Sequence, residues 1–382
     1  ALHPGRHAFS HPHWQLGLHS YDNYDNDYLV CSWAEEQVWH IGTVRIDNGM
    51  AEEWATGWWP IGNVAAADGR VVFLADSATH TPAIIEVSRG KTKVLRPSSE
   101  AEVPTALVST AEMLTWKTSD GEEARGFYYA PVNPEFVAPE GELPPLIVNV
   151  HGGPTEAARP GLQVPFQYWT SRGFAVLDVN FRGSTSFGRP YRERLNGNWG
   201  VMDVQDCVDG AQYLIDLGRV DPKRIAIRGR SSGGFTVLNA LASSDVFTAG
   251  ASFSGIADLV KLKETSHKFE SHYDGILLGT DDTSDPVWAQ RSPINRVGEI
   301  KVPLMLLQGT DDPVVPASQA QEMYEALRAN GNAVALKLYQ GEGHRFRSAI
   351  NIKDAWQSEL AFYRTVWGIA TDAPIHVEIA NL

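Results

Sequence analysis

The chain has 382 residues, of which 43% are hydrophobic and 20% are charged, a composition that supports a large buried core and more than one domain. Lys and Arg number 32 against 46 Asp and Glu, and this net charge of −14 argues against electrostatic binding to nucleic acid or to anionic lipid. The chain has no run of about 18 apolar residues and does not start with an apolar signal-peptide core, so we expect a cytoplasmic protein that spans no membrane.

Residues 1–112 predict a small all-β region. Short strand patterns recur about 42 residues apart, first at Tyr28–Trp33, His40–Ile46 and Glu53, then at Arg70–Ala75, Ala83–Ser88 and Val94. This period is typical of propeller blades, so the region is interpreted as about two blades of a partial β-propeller followed by a linker. One small β-sandwich is the alternative.

Residues 113–372 alternate between strands and helices, and residues 373–382 form a C-terminal tail. After a hairpin, buried strands are predicted at Leu146–Val150, Ala175–Val179, Ile225–Ile227, Ala249–Phe253, Val302–Leu307 and Val334–Tyr339. Helices are predicted at Val204–Leu217, Gly234–Ser243, Ala317–Ala329 and Ile350–Val366. This alternation predicts an α/β domain with a mostly parallel, doubly wound sheet.

The segment Gly229-Arg230-Ser231-Ser232-Gly233 lies between a predicted strand and a predicted helix. Gly-x-Ser-x-Gly in this context is the nucleophile elbow of α/β-hydrolases, which predicts Ser231 as the nucleophile. Ser232 would need a glycine two residues before it, where Arg230 stands.

A serine nucleophile needs a histidine base and an acid that orients it, and in this fold both follow the serine in the sequence. Asp312 follows the strand Val302–Leu307, and His344 follows the strand Val334–Tyr339. The sequence therefore predicts a triad of Ser231, Asp312 and His344. A second Gly-Thr-Asp-Asp segment at residues 279–282 and the histidines His267 and His272 are interpreted as surface residues.

The oxygen of a tetrahedral intermediate needs hydrogen-bond donors. The backbone N–H of Ser232, directly after the nucleophile, is one predicted donor. The turn His151-Gly152-Gly153-Pro154 supplies the other, the N–H of Gly153, because glycines allow the backbone to approach the substrate.

Residues 113 to about 370 resemble the catalytic domain of the prolyl oligopeptidase family, and its acylaminoacyl-peptidase branch in particular. The matching segments are His151–Pro154, Asn180–Ser184, Gly229–Gly234, Gly309–Pro316 and Gly341–His344. The family pattern Gly-x-x-Asp-x-x-Val-Pro selects Asp312 rather than Asp311. The resemblance implies a β-propeller before the hydrolase domain.

The resemblance also implies a serine peptidase that hydrolyses short peptides or acyl-amino acid amides. A carboxylesterase of the same fold is one alternative, because the same triad cleaves esters, and a non-catalytic interaction module is another. No cofactor is implied, and we expect no metal site, although His3, His7 and His11 follow one another at intervals of four.

The predicted partner is a second chain. Closed propellers contain about four to eight blades, whereas residues 1–97 contain about two. Unpaired strand edges are seldom left exposed in natural sheets. We therefore expect this chain, which begins at Ala1, to be the C-terminal part of a longer polypeptide, with a companion chain that carries the remaining blades. The sequence leaves oligomerisation open.

Overall fold

The computed structural model describes residues 3, 7–12, 14–370 and 375–382. Within these ranges no helix combines the length and the apolar character needed to cross a lipid bilayer. The expected processed end at Ala1 and the predicted boundary between the catalytic domain and the tail, at residues 372 and 373, lie outside the described residues.

The N-terminal region forms two antiparallel sheets of four strands each, with the strands in sequence order in both. The first contains β1 (Tyr21–Asn23), β2 (Tyr28–Glu35), β3 (Val38–Arg45) and β4 (Ala51–Glu53). The second contains β5 (Trp59–Ala67), β6 (Arg70–Asp76), β7 (Ala83–Ser88) and β8 (Lys91–Pro97). The expectation of repeated antiparallel sheets, as in a partial propeller, is confirmed.

Strands β1 and β5 are absent from the sequence prediction. Strand β1 reads Tyr-Asp-Asn and has no apolar alternation, so it carries no strand signal of its own. Strand β5 contains Pro60 and Gly62, and its pairing with β6 shifts register around these residues. Proline and glycine weaken a strand pattern, so only the pairing to β6 reveals this strand.

The C-terminal region is built on one eight-stranded sheet. Its strands are β9 (Glu112–Lys117), β10 (Glu123–Tyr129), β11 (Leu146–Val150), β12 (Ala175–Asn180), β13 (Ile225–Arg230), β14 (Ala249–Phe253), β15 (Leu304–Gly309) and β16 (Val334–Tyr339). Their spatial order is β16-β15-β14-β13-β11-β12-β10-β9. The six strands β11 to β16 are parallel, and β10 runs antiparallel to both of its neighbours, β12 and β9. Near the C-terminus, Ala380 forms an isolated antiparallel bridge with Val334 on β16.

Helices cover both faces of this sheet. They are α1 (Val164–Thr170), α2 (Arg189–Arg192), α3 (Met202–Asp216), α4 (Ser232–Ser243), α5 (Leu259–Thr265), α6 (Tyr273–Leu278), α7 (Pro286–Arg291), α8 (Ala317–Ala329) and α9 (Ala349–Val366). One apolar cluster lies between the sheet and α3, α4 and α8, and a second lies between the sheet and α1 and α9. The predicted α/β-hydrolase architecture is therefore confirmed.

Successive side chains of the central strands enter opposite clusters. On β15, Leu304 and Leu306 belong to the cluster of α3, α4 and α8, whereas Met305 and Leu307 belong to the cluster of α1 and α9. All four side chains are at most 2% exposed. A strand buried on both faces needs apolar residues at every position, which explains the unbroken apolar runs in the sequence.

The N-terminal sheets contact the loops at one end of the large sheet. The Trp39 indole donates a hydrogen bond to Ser186 Oγ at 3.2 Å, and the Trp14 indole donates one to the carbonyl of Thr155 at 2.8 Å. The two regions therefore meet beside the His151–Pro154 turn.

A buried ion pair lies beneath the strand that leads to Ser231. The guanidinium of Arg228 on β13 donates to both carboxylate oxygens of Glu359 on α9, at 2.8 and 3.1 Å, and to Asn149 Oδ1 at 2.9 Å. The side chain of Glu359 is fully buried. The pair fixes β13 to α9.

We expect Glu359→Gln to lower the free energy of unfolding by about 3–5 kcal/mol, because it leaves the buried Arg228 charge without its partner. Urea denaturation followed by tryptophan fluorescence measures this change. The matched control is Glu123→Gln, which removes an exposed partner of Lys117 and should leave the denaturation midpoint nearly unchanged. Equal midpoints for the two variants would contradict the assigned importance of the pair.

Candidate active site

Ser231 lies in a tight turn between β13 and α4, with φ 57° and ψ −123°. This backbone conformation is rarely adopted by residues other than glycine and is typical of a strained functional turn. A Cβ at position 229 would lie 2.5 Å from the carbonyl of Gly233, and a Cβ at position 233 would overlap the carbonyl oxygen of Val150. Neither position has room for a side chain, so both require glycine.

The side chain of Ser232 has a different environment. The residue is 2% exposed, and its Oγ accepts a hydrogen bond from the indole of Trp199 at 3.0 Å. Ser231, by contrast, lines two cavities. Ser232 lines only the smaller of these cavities, and its hydroxyl is already engaged by Trp199, so Ser231 is the better candidate for the nucleophile.

Asp312 is held by several donors just beyond the end of β15. Its Oδ1 accepts from the backbone N–H groups of Val314 and Val315 at 2.9 and 3.0 Å, and its Oδ2 accepts from Gln308 Nε2 at 3.2 Å. Burial raises the pKa of Asp312, but the hydrogen bonds from His344 and from the backbone outweigh burial and lower the pKa below its usual value. The carboxylate is therefore charged at neutral pH.

His344 and Asp312 are brought together from two loops. His344 Nδ1 lies 2.8 Å from Asp312 Oδ2. Since an ionised carboxylate only accepts, Nδ1 carries the proton and Nε2 of a neutral ring is left as an acceptor. Arg230 Nη1 donates to the carbonyl of His344 at 2.9 Å, which fixes this loop next to the turn of Ser231.

Of the competing acids and histidines, Asp311, Asp282 and His272 lie on the surface and line neither cavity at Ser231, whereas His267 lines one of them. Asp311 is exposed and accepts from Thr310, and Asp282 is an exposed residue that accepts from Ser284. His272 is exposed and lies 2.7 Å from Asp281. His267 pairs with Glu270 and lines the smaller of the two cavities beside Ser231.

The turn that carries Gly153 is held from both sides. The side chain of His151 contacts Ser184 Oγ at 2.7 Å and stacks on Phe181, and burial lowers its pKa to about 4, so it stays neutral. On the other side, Thr155 N donates to the hydroxyl of Tyr273 at 3.1 Å. Gly153 and Ser232 both line the smaller cavity with Ser231.

Two cavities meet at Ser231. The central cavity has a volume of about 830 Å³ and is lined by Ser231, His344 and Arg230, among others, and also by Trp14 of the N-terminal region. The side pocket has a volume of about 50 Å³, and its walls include Trp199, Ile256, Leu262, Asp274, Val314 and Val315. A molecule in contact with Ser231 therefore has access to both spaces.

The N-terminal histidines take no part in this site. His11 stacks on Trp39 with ring centroids 4.0 Å apart, and burial, assisted by the charge of Arg159, lowers its pKa to about 4. His3 and His7 contact each other at 2.9 Å. Within the described ranges, no three His, Cys, Asp or Glu side chains are grouped closely enough to hold a metal ion.

Comparison with known proteins identifies the family of the chain. Residues 160–369 match the model of the prolyl oligopeptidase family. The chain belongs to the prolyl oligopeptidase family. The predicted resemblance to this family of serine peptidases is thereby confirmed.

Among solved structures, a Mycobacterium tuberculosis puromycin-hydrolyzing peptidase is 34% identical with a TM-score of 0.95, over 99% of this chain and 58% of that chain. Dipeptidyl aminopeptidase BIII of Pseudoxanthomonas mexicana is 33% identical over 55% of this chain and 31% of its own length. The acylamino-acid-releasing enzyme of Arabidopsis thaliana is 28% identical over 53% of this chain and 28% of its own length. The present chain thus spans less than two thirds of the length of each of these three proteins.

Several side chains that support the site were not identified from the sequence. Gln308 orients Asp312, and the carboxylate of Glu342 accepts from Arg347 N and Ser348 N at 2.7 and 2.9 Å, which anchors the His344 loop. Gln308 could have been identified from the sequence, because it is a polar residue at the end of the otherwise apolar strand β15. Glu342 had no such signal, because its role depends on the path of the loop.

We expect Asp312→Asn to lower kcat/KM by a factor on the order of 10⁴, because an amide in place of the carboxylate favours the wrong His344 tautomer. Hydrolysis of an aminoacyl p-nitroanilide measures the effect. Asp311→Asn and Asp282→Asn are the matched controls and should change kcat/KM by less than about threefold, since their carboxylates make only local surface contacts. A larger loss in Asp311→Asn than in Asp312→Asn would overturn the predicted triad.

Proposed function

We propose that this protein is a serine peptidase that hydrolyses short peptides or acyl-amino acid amides through an acyl-enzyme. The observation that carries the proposal is the 2.8 Å contact of His344 with Asp312 at the wall of the cavity that Ser231 also lines. Membership of the prolyl oligopeptidase family supports the same chemistry.

In the proposed acylation step, Ser231 Oγ attacks the substrate carbonyl and its proton passes to His344 Nε2. The N–H groups of Gly153 and Ser232 donate to the oxyanion, whose negative charge is stabilised at the N-terminal end of α4. The C–N bond then breaks, the amine leaves with the proton from His344, and the acyl group stays on Ser231.

In the proposed deacylation step, water takes the place of the amine. His344 removes a proton from the water, the hydroxide attacks the ester carbonyl, and the returned proton restores the Ser231 hydroxyl as the acid leaves. Asp312 remains ionised throughout and stabilises the charged imidazole in both steps. Its lowered pKa supports this role.

The lining of the central cavity is evidence that the substrates are small. Trp14 of the N-terminal region lines the cavity and contacts Thr155, and Gln15 Nε2 contacts the carboxylate of Glu156. The N-terminal region therefore closes part of the approach to Ser231. Two solved relatives over 30% identical are named for puromycin hydrolysis, so small amide substrates are also acted on within the family.

We expect the protein to hydrolyse an aminoacyl p-nitroanilide with a kcat of about 1 s⁻¹ or more, and Ser231→Ala to lower kcat by about three or more orders of magnitude. The matched control is Ser284→Ala at an exposed position. The p-nitrophenyl ester of the same acyl group is assayed in parallel. Turnover of the ester without the amide would favour a carboxylesterase, and failure of a fluorophosphonate to label Ser231 would favour a non-catalytic module.

We also propose that the N-terminal sheets pack against further β-sheets carried by a companion chain. The edge strand β8 is exposed at every residue, and Ile84, Val94 and Leu95 expose about 40% of their surface on the same sheet. Isolated sheets rarely leave such an edge and such apolar residues uncovered. The puromycin-hydrolyzing relative is matched over only 58% of its chain, which leaves room in that protein for residues without a counterpart here.

We expect native mass spectrometry of the protein purified from its source to show the 42.0 kDa chain bound non-covalently to a β-rich polypeptide. Removal of this polypeptide should cause aggregation, because it uncovers the edge and apolar side chains of β7 and β8. A monomer of 42.0 kDa that is active and stays soluble would refute the companion chain.

A further inference from the structure

The side pocket begins at the groups proposed to act on the substrate carbonyl. Gly153, Ser231 and Ser232 line it on one side, and Trp199, Ile256 and Leu262 supply apolar walls. If the proposed function holds, the acyl residue of the substrate has its carbonyl at Ser231. The side pocket is then the space available to the side chain of that residue.

One wall of the side pocket carries a buried carboxylate. Asp274 lies in the first turn of α6 and is 5% exposed, and its Oδ2 is buried with no hydrogen-bond partner among the described residues. The preceding residue, Tyr273, contacts Thr155 in the turn that carries Gly153. A buried carboxylate oxygen without a hydrogen-bond donor is unfavourable unless a ligand supplies the donor.

The surroundings of Asp274 are short of positive charge. Burial raises the pKa of Asp274 to about 6; Lys263 opposes this shift, and the charges of Glu270 and Asp281 add to it. Lys263 is already engaged, since its ammonium donates to Asp281 Oδ1 at 2.8 Å and also contacts the carbonyl of Ser271. At pH 7.5 Asp274 is therefore mostly ionised, next to Glu270 on the same pocket wall.

We propose that Asp274 makes the side pocket selective for an acyl residue whose side chain ends in a cationic hydrogen-bond donor, and that lysine fits best. The apolar walls would pack against the methylene groups of lysine, and the ammonium would donate to Asp274. The one Asp274 oxygen that is buried without a partner among the described residues, Oδ2, matches the point charge of an ammonium better than the forked guanidinium of arginine, which binds both oxygens of a carboxylate. This inference rests on the proposed function.

The test compares lysyl and norleucyl p-nitroanilides, each with a free and with an acetylated α-amine, at pH 7.5. Norleucine has the same methylene chain and lacks the ammonium. We expect kcat/KM to favour lysine by at least about tenfold in the wild-type protein, the range of a charged hydrogen bond. In Asp274→Asn this preference should fall to about twofold or less, with the norleucine value little changed.

Asp282→Asn is the matched control, because Asp282 is an exposed aspartate near the same helix and lies outside the pocket wall; its preference should equal that of the wild type. A wild-type preference for norleucine, or an unchanged lysine preference in Asp274→Asn, would overturn the proposal. If Asp274→Asn does not fold, a wild-type ratio that favours norleucine still overturns the proposal.

A second readout separates this proposal from the proposed function. The rate at which a fluorophosphonate labels Ser231 is measured with lysinamide or norleucinamide present. Protection by lysinamide alone supports the role of Asp274 even if no amide is hydrolysed, an outcome that would refute the peptidase function only. Equal protection by the two amides counts against Asp274.

Discussion

The turn between β13 and α4 is so tight, and passes so close to β11, that no side chain fits at position 229 or at position 233. The carbonyls of Gly233 and Val150 occupy the space that a Cβ would need at these positions. The Ser231 N–H donates to the carbonyl of Phe253 at 2.9 Å, which ties the turn to β14 as well. This close approach holds Ser231 at positive φ, and the other groups of the site are arranged around it.

The parallel sheet explains why these groups meet. The loops after β11, β13, β15 and β16 all leave the sheet at the same edge, because the carboxyl ends of parallel strands coincide. Gly153, Ser231, Asp312 and His344 follow these four strands, respectively. Beneath the edge, the Arg228–Glu359 pair and the Asn149 side chain connect β11 and β13 to α9.

Charge is distributed unevenly around Ser231. Arg230 and Arg345 line the central cavity, and burial together with the charges of Arg228 and Arg345 lowers the pKa of Arg230 to about 10. Glu270 and Asp274 line the side pocket. The central cavity is also lined by Glu156 and Glu270, so it carries charges of both signs, whereas the side pocket carries Glu270 and Asp274 but no arginine or lysine among the described residues that line it.

The architecture of the C-terminal region was readable from the sequence, because strands buried on both faces need continuous apolar runs and helices such as α8 and α9 follow their own period. The strands β1 and β5 could not be predicted. The residues of β1 do not alternate between apolar and polar, and β5 contains Pro60 and Gly62, so both strands are recognised only by their pairing with neighbouring strands. The elbow motif predicted Ser231 as the nucleophile, because the tight turn requires glycine at positions 229 and 233.

The sequence by itself determined the α/β-hydrolase order of elements, the family, and three candidate residues that each follow a recognisable strand. Only the tertiary structure decided which side chains hold these residues in place. Gln308 donates a hydrogen bond to Asp312, and Arg230 donates one to the carbonyl of His344. The hydroxyl of Tyr273 accepts a hydrogen bond from Thr155 N, in the turn that carries Gly153. It also decided that Asp274 lines the side pocket with Ser231 and that its Oδ2 is buried with no hydrogen-bond partner in the described part of the chain. The reason is physical: a local pattern reflects the backbone geometry of its own segment, whereas burial and hydrogen-bond partners depend on segments distant in sequence.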